Sequence, residues 1–134
     1  MILVDTSVWI GLLRGVDRPA VQVLKRVLES ETTVALTPLI LQEILQGAGS
    51  DAHFATLQRY FADLPLLASS NLTATHIAAA HLYCRCRWAG VTPRSSNDCL
   101  IACQAIEHDV VLLHDDRDFE AIARVEPRLQ LLAS

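Results

Sequence analysis

The order of elements legible in this chain predicts a three-layer α/β/α sandwich around a mainly parallel central sheet of four to five strands. Three observations carry that expectation. Short apolar runs at residues 2–4, 33–36, 64–67, 110–113 and 129–132 alternate with longer segments of helical pattern, the arrangement that builds parallel sheets covered by crossover helices. The run Val110, Val111, Leu112, Leu113 has no polar alternation, as expected of a strand buried on both faces. With 134 residues, 51% of them hydrophobic and 19% charged, the chain has the material for one domain, spanning residues 1–134, with a sizeable core.

Taken in order, Ile2 to Val4 reads as a strand that runs into Asp5, Thr6 and Ser7, a helix-capping cluster, and Val8 to Leu13 follows as a mostly apolar helix. Pro19 begins the next helix, whose stripe is Val21, Val23, Leu24, Val27 and Leu28. After the second strand, Thr37 and Pro38 open a helix that carries Glu43 and stops at Gly47 and Gly49. Residues 52–62 form another helix. Pro65 lacks the N–H that a central strand needs, so residues 64–67 belong at a sheet edge. The longest helix spans residues 72–88, capped by Asn71 or Thr73 and ended by Gly90. Residues 91–97 are a loop, Ser96 or Asn97 caps a helix over 98–108, and a short helix at 119–124 precedes the last strand.

Composition excludes several classes. A formal charge of −4 argues against holding nucleic acid by bulk positive charge, although local basic patches remain open. Ten of the eleven basic residues are arginine, which suits bidentate contacts to carboxylate or phosphate and equally reflects a GC-rich genome. Cys84, Cys86, Cys99 and Cys103 lack the spacing of a redox or zinc motif and read as packing thiols. No signal-peptide pattern follows Met1 and no run is long enough to cross a bilayer, so a cytoplasmic protein is expected.

Four acids stand where such a sheet would gather them: Asp5 and Asp116 beyond strand ends, Glu43 inside the apolar run Leu39 to Leu45, and Asp98 just before Cys99 to Ala102. Each alone has an ordinary explanation as a turn former, a solvated charge or a helix N-terminal residue. Together they form a set whose mutual repulsion calls for a divalent cation. Rival designs fail on particular residues. A receiver domain needs a late lysine, but Lys25 is the only one; a phosphatase of the haloacid-dehalogenase kind needs an acid two residues after the first, where Ser7 stands; and no glycine-rich phosphate loop is present.

The motifs Val4-Asp5-Thr6-Ser7-Val8-Trp9, Glu43 in its helix, Asn97-Asp98-Cys99-Leu100-Ile101-Ala102 and Asp116-Arg117-Asp118-Phe119, in that order over nearly the whole chain, resemble those of the PIN-domain nucleases, and more narrowly the VapC-type ribonuclease toxins. That resemblance implies a PIN-like fold and a metal-dependent endoribonuclease acting as the toxin of a toxin–antitoxin pair on RNA, with transfer RNA as one candidate. It implies one or two Mg²⁺ or Mn²⁺ ions held by Asp5, Glu43, Asp98 and Asp116, with Asp118 as a further acid. It also implies a cognate antitoxin as partner, in a homodimer or hetero-oligomer. Asp5 and Asp98 are expected to be the most direct ligands, with Thr6, Ser7 and Asn97 orienting water. Arg94 is the candidate for a phosphate contact. His114 stands where relatives carry Thr or Ser and is open to two readings, a proton shuttle or phosphate contact and a helper of local hydrogen bonding. Trp9, Leu12 and Leu13 are expected to offer antitoxin-binding or dimer surface, since their helix is apolar on more than one face; the alternative is a helix buried on two sides by the domain itself. No lysine or histidine pair accompanies the acids, so metal-activated water is the expected nucleophile. The alternative is a catalytically inactive PIN-like module whose acidic pocket receives an arginine-bearing partner.

Overall fold

The computed structural model describes residues 1–134. Its elements are β1 (Ile2–Val4), α1 (Thr6–Leu13), α2 (Pro19–Leu28), β2 (Val34–Ala35), α3 (Pro38–Leu45), α4 (Asp51–Phe61), α5 (Leu72–Trp88), α6 (Ser96–Glu107), β3 (Val111–Leu113) and α7 (Arg117–Val125). The strands lie in the order β2-β1-β3, all parallel, with Leu3 paired to Ala35 on one side and to Leu112 on the other. The chain leaves β1 toward β2 and later returns to β1's opposite side as β3. Right-handed crossovers in opposite directions put their helices on opposite faces, which gives the three layers. The same reversal opens a crevice at the carboxyl end of β1.

The sheet has three strands, fewer than the four to five expected. The two missing candidates are present as single parallel bridges, Leu36 to Leu66 at one edge and Leu112 to Leu131 at the other. At the first, the Leu36 N–H donates to the Pro65 carbonyl and the Leu67 N–H to the Leu36 carbonyl, so proline contributes its carbonyl but has no N–H to give. Pairing cannot extend through a residue that lacks a donor.

Thirty buried residues form one continuous hydrophobic cluster in which Leu3, Val4, Leu112 and Leu113 of the sheet are fully covered. Trp9 belongs to it. Its indole is 0% exposed and meets Phe61 edge-on at 4.9 Å, so it cannot anchor a partner, contrary to the expectation from the apolar character of α1. The surface apolar residue of that helix is Leu13, with Leu12 half-buried. α1 crosses α2 closely because Gly11 faces Val21: a Cβ added there would lie 2.8 Å from the valine Cγ2. Cys86 of α5 and Cys99 and Cys103 of α6 are buried in the core, while Cys84 is half-buried. Burial pushes the Cys99 thiol up to about 12 and the Cys103 thiol up to about 11.

Candidate metal centre

Each acid of the site is placed by a short piece of local structure. Asp5 follows β1, where its N–H donates to the Leu113 carbonyl at 2.9 Å, and it then caps α1. One oxygen, Oδ2, accepts the Ser7 N–H at 3.0 Å and the Ser7 hydroxyl at 2.6 Å. The Ser7 Oγ in turn accepts the Asp115 N–H at 3.0 Å, so the end of β1 and the loop after β3 are pinned through one hydroxyl. Asp5 is only 5% exposed, and burial raises its pKa against the opposing pull of Ser7, with the Glu43 charge adding to the rise.

Glu43 lies on α3, whose start is fixed by the Thr37 hydroxyl accepting the Ile40 N–H and by Pro38 in the first turn. The Thr6 hydroxyl donates to its Oε1 at 2.8 Å. Thr6 and Ser7, expected to orient water, are therefore both spent on holding carboxylates. Asp98 sits in the first turn of α6, behind the cap residue Ser95 rather than the expected Ser96 or Asn97. Its carboxyl is pushed up to about 7, first by burial and then by the charges of Asp5, Asp116, Asp118 and Glu43. Asp116 caps α7, and its Oδ1 accepts the Asp118 N–H at 2.9 Å. Burial acts to raise Asp118, but hydrogen bonds from the Arg94 backbone and side chain outweigh it and hold this carboxyl below the usual range.

These five acids wall one cavity of about 340 Å³, with Thr6, Ser7, Arg94 and Ser95 between them and no hydrophobic side chain. Within it, one oxygen from each of Asp98, Asp116 and Asp118 lies within 4.8 Å of the other two. That trio thus includes Asp118, expected only as a further acid, while Asp5 stands in the same wall, buried, with Oδ2 held by Ser7. Asn97 is not part of the wall; it lines a separate cavity with His76, Tyr83 and Leu100, so its expected contact to metal-held water has no geometric basis. Arg94, expected to be free for phosphate, donates to Asp116 and Asp118. His114 accepts the Asp116 N–H through Nδ1 at 3.2 Å and lies against Phe119, which matches the second of its two readings.

The donor set fits a hard divalent cation. Every candidate ligand atom is a carboxylate oxygen, and Asp98 holds its proton near neutral pH because burial, and then the negative charge of the surrounding acids, disfavours its ionised form. Sequence reasoning missed Ser95, whose position three residues before a helical acid is a capping signal, and the pair of Arg18 with Asp115, whose partners lie 97 residues apart and leave no local trace.

The PIN domain family model matches residues 2–125. A VapC ribonuclease of Mycobacterium bovis, Mb1587, and the ribonuclease VapC11 of Mycobacterium tuberculosis are each 41% identical to this chain over 126 residues, covering 93% of both sequences. Among solved structures, VapBC2 from Rickettsia felis bound to a promoter DNA fragment superposes with a TM-score of 0.74 at 19% identity, over 98% of each chain. VapBC-1 from nontypeable Haemophilus influenzae superposes with a TM-score of 0.73 at 22% identity, over 98% of this chain and 97% of the other. At such identities the superpositions speak for the fold, and the curated relatives speak for the kinship: the chain belongs to the PIN-domain family, in its VapC branch.

Proposed function

We propose that this protein, acting as a single domain, is a metal-dependent endoribonuclease and the toxin of a toxin–antitoxin pair, working in the cytoplasm. The observation that carries the reading is Asp98, poised at about 7 by burial and by four neighbouring acids in a cavity without apolar walls. The ribonuclease names of the 41% identical relatives support it. No helix is long and apolar enough to cross a membrane. The antitoxin expectation draws support from the VapBC assemblies that share the fold, and α1 offers Leu13, 44% exposed, as apolar surface for such a partner.

Asp98, Asp116 and Asp118 would hold Mg²⁺ or Mn²⁺, with Asp5 and Glu43 completing the negative field on the opposite wall. A bound divalent cation supplies the Lewis acidity that activates water and neutralises charge building on the phosphate. The chain's own residues do the positioning. Ser7 fixes Asp5, Thr6 fixes Glu43, the cap of α7 ties Asp116 to Asp118, and Asp98 is placed by the first turn of α6. Proton transfer from water falls to a carboxylate of the cavity outside that trio, and Asp5, whose affinity for protons is raised by burial, is the suited acceptor.

The test is cleavage of an RNA substrate by purified protein. The expected result is cleavage with Mn²⁺ or Mg²⁺, none in EDTA, recovery on adding the ion back, and 5′-phosphate and 3′-hydroxyl ends. Cyclic-phosphate products formed equally well in EDTA would overturn the mechanism. The second reading, an acidic pocket that receives an arginine-bearing partner without turnover, has one observation in its favour: Asp116 and Asp118 already take a guanidinium. Metal-dependent cleavage abolished by Asp98→Asn separates the two.

A further inference from the structure

Arg94 is the only cation in the wall of the acid cavity, and it is engaged at the carboxylates themselves. Its side chain is 66% exposed, yet the head turns inward: Nη2 donates to Asp116 Oδ1 at 2.7 Å and Nε to Asp118 Oδ2 at 3.0 Å. The Arg94 backbone N–H reaches the same Asp118 oxygen at 3.0 Å, and the Asp118 N–H reaches the same Asp116 oxygen at 2.9 Å. Each of these two oxygens therefore accepts two hydrogen bonds and has no lone pair left for a metal. Both belong to the trio of acids that lie within 4.8 Å of one another, so one positive charge of the chain itself is shared by two of its three members, each of which keeps its other oxygen without a hydrogen bond.

We propose that Arg94 is an exchangeable counter-cation: it holds Asp116 and Asp118 until a divalent ion takes them, and its guanidinium then turns outward to an RNA phosphate. The inference rests on the nuclease reading of the same site. A guanidinium and a dication cannot share one pair of carboxylates without strong repulsion, so binding of one displaces the other. Release is cheap for an exposed pair in water, where the Coulomb gain is small and side-chain freedom is regained. A destination lies next door. Arg94 and Asp116 also line a cavity of about 750 Å³ in which Arg18 and Arg117 stand beside the acids Asp115 and Glu120, and the planar fork that fits a carboxylate fits a phosphate equally well. Arg18, on the same cavity, does not share this freedom, because Asp115, outside the acid cavity, holds it through both Nε and Nη2.

Calorimetric titration of Mn²⁺ into the full chain tests the idea in wild type, Arg94→Ala and Arg94→Lys, with thermal melts to check folding. The expected result is tighter Mn²⁺ binding by Arg94→Ala, by roughly 5- to 50-fold, with Arg94→Lys between it and wild type because charge remains without the fork. The Arg94 Nε–H resonance is expected to move when Mg²⁺ is added. With Ca²⁺ in place of the catalytic ion, Arg94→Ala is expected to bind a short RNA several-fold more weakly than wild type, and equally without any ion. If Arg94→Ala binds Mn²⁺ no tighter than wild type while the wild type still cleaves RNA, the counter-cation idea falls and the nuclease reading stands. A wild type that neither binds Mn²⁺ nor cleaves RNA overturns both.

Discussion

Asp98 is the residue on which charge, burial and chemistry meet. Its folded pKa of about 7 lies above the ordinary carboxylate value, so the metal-free fold binds a proton that the unfolded chain has already lost. Stability from this group is therefore complete below the unfolded pKa, roughly 4, and is lost as pH rises through 7. Asp98→Asn is expected to flatten that decline, to melt higher than the metal-free wild type at pH 8 by about 1–3 kcal/mol, and to lose divalent-ion binding. A lower melt at pH 8 with cleavage intact would mark Asp98 as structural. Much at this scale was legible, because each acid interrupts an apolar run or ends a strand. What the sequence could not rank was distance. Asp118 joins the trio because a helix cap brings it back toward Asp116, and one oxygen of Asp5 is taken by Ser7. Trp9 misled for a related reason: an indole in an apolar helix reads the same whether covered by a partner or by Phe61 of the same chain.

Among the elements, the helices were legible nearly to their ends, since Pro19, Pro38, Asn71 and Gly90 punctuate the chain. The edge strands were legible in place but not in length: each is a single bridge, and at the first edge Pro65 lacks the donor that would extend it. The α1–α2 crossing rests on a single missing methyl. Gly11→Ala gains about 1 kcal/mol of helix propensity but drives a Cβ into Val21, a stiff and fully buried side chain. A net loss of about 1 kcal/mol is expected by chemical denaturation, relieved in Gly11→Ala/Val21→Ala relative to the sum of the two single changes. A second junction ties α5 to the chain after α7. Glu126, 5% exposed, accepts from Arg85 at 3.0 Å and from Arg128 at 2.9 Å, and the Arg128 and Arg85 bonds pull its carboxyl down to about 2. A lowered folded pKa adds stability above about 4.5 that is lost as pH falls toward 2. Glu126→Gln is expected to cost about 1–3 kcal/mol at pH 7 and to show a shallower acid limb in denaturation than wild type.

For the molecule as a whole, the parallel order of its strands is what gathers residues separated by more than a hundred positions at one crevice, and the alternating pattern announced that order. Partners are a different matter, since a surface is defined by what the core leaves uncovered, and α1 shows how poorly apolar content alone marks it. Folded protein concentrates its thiols in one place: Cys86, Cys99 and Cys103 lie buried in α5 and α6, protonated at any physiological pH, with Cys99 the immediate neighbour of Asp98. Protonated, enclosed sulfur does not react with alkylating reagents. Mass-spectrometric labelling is expected to modify Cys84 within minutes and the other three only as fast as the two helices part. The chain thus carries a chemical clock beside its acids: each ligand that binds only the closed form lengthens the reading at Cys99 by the factor one plus its concentration over its dissociation constant.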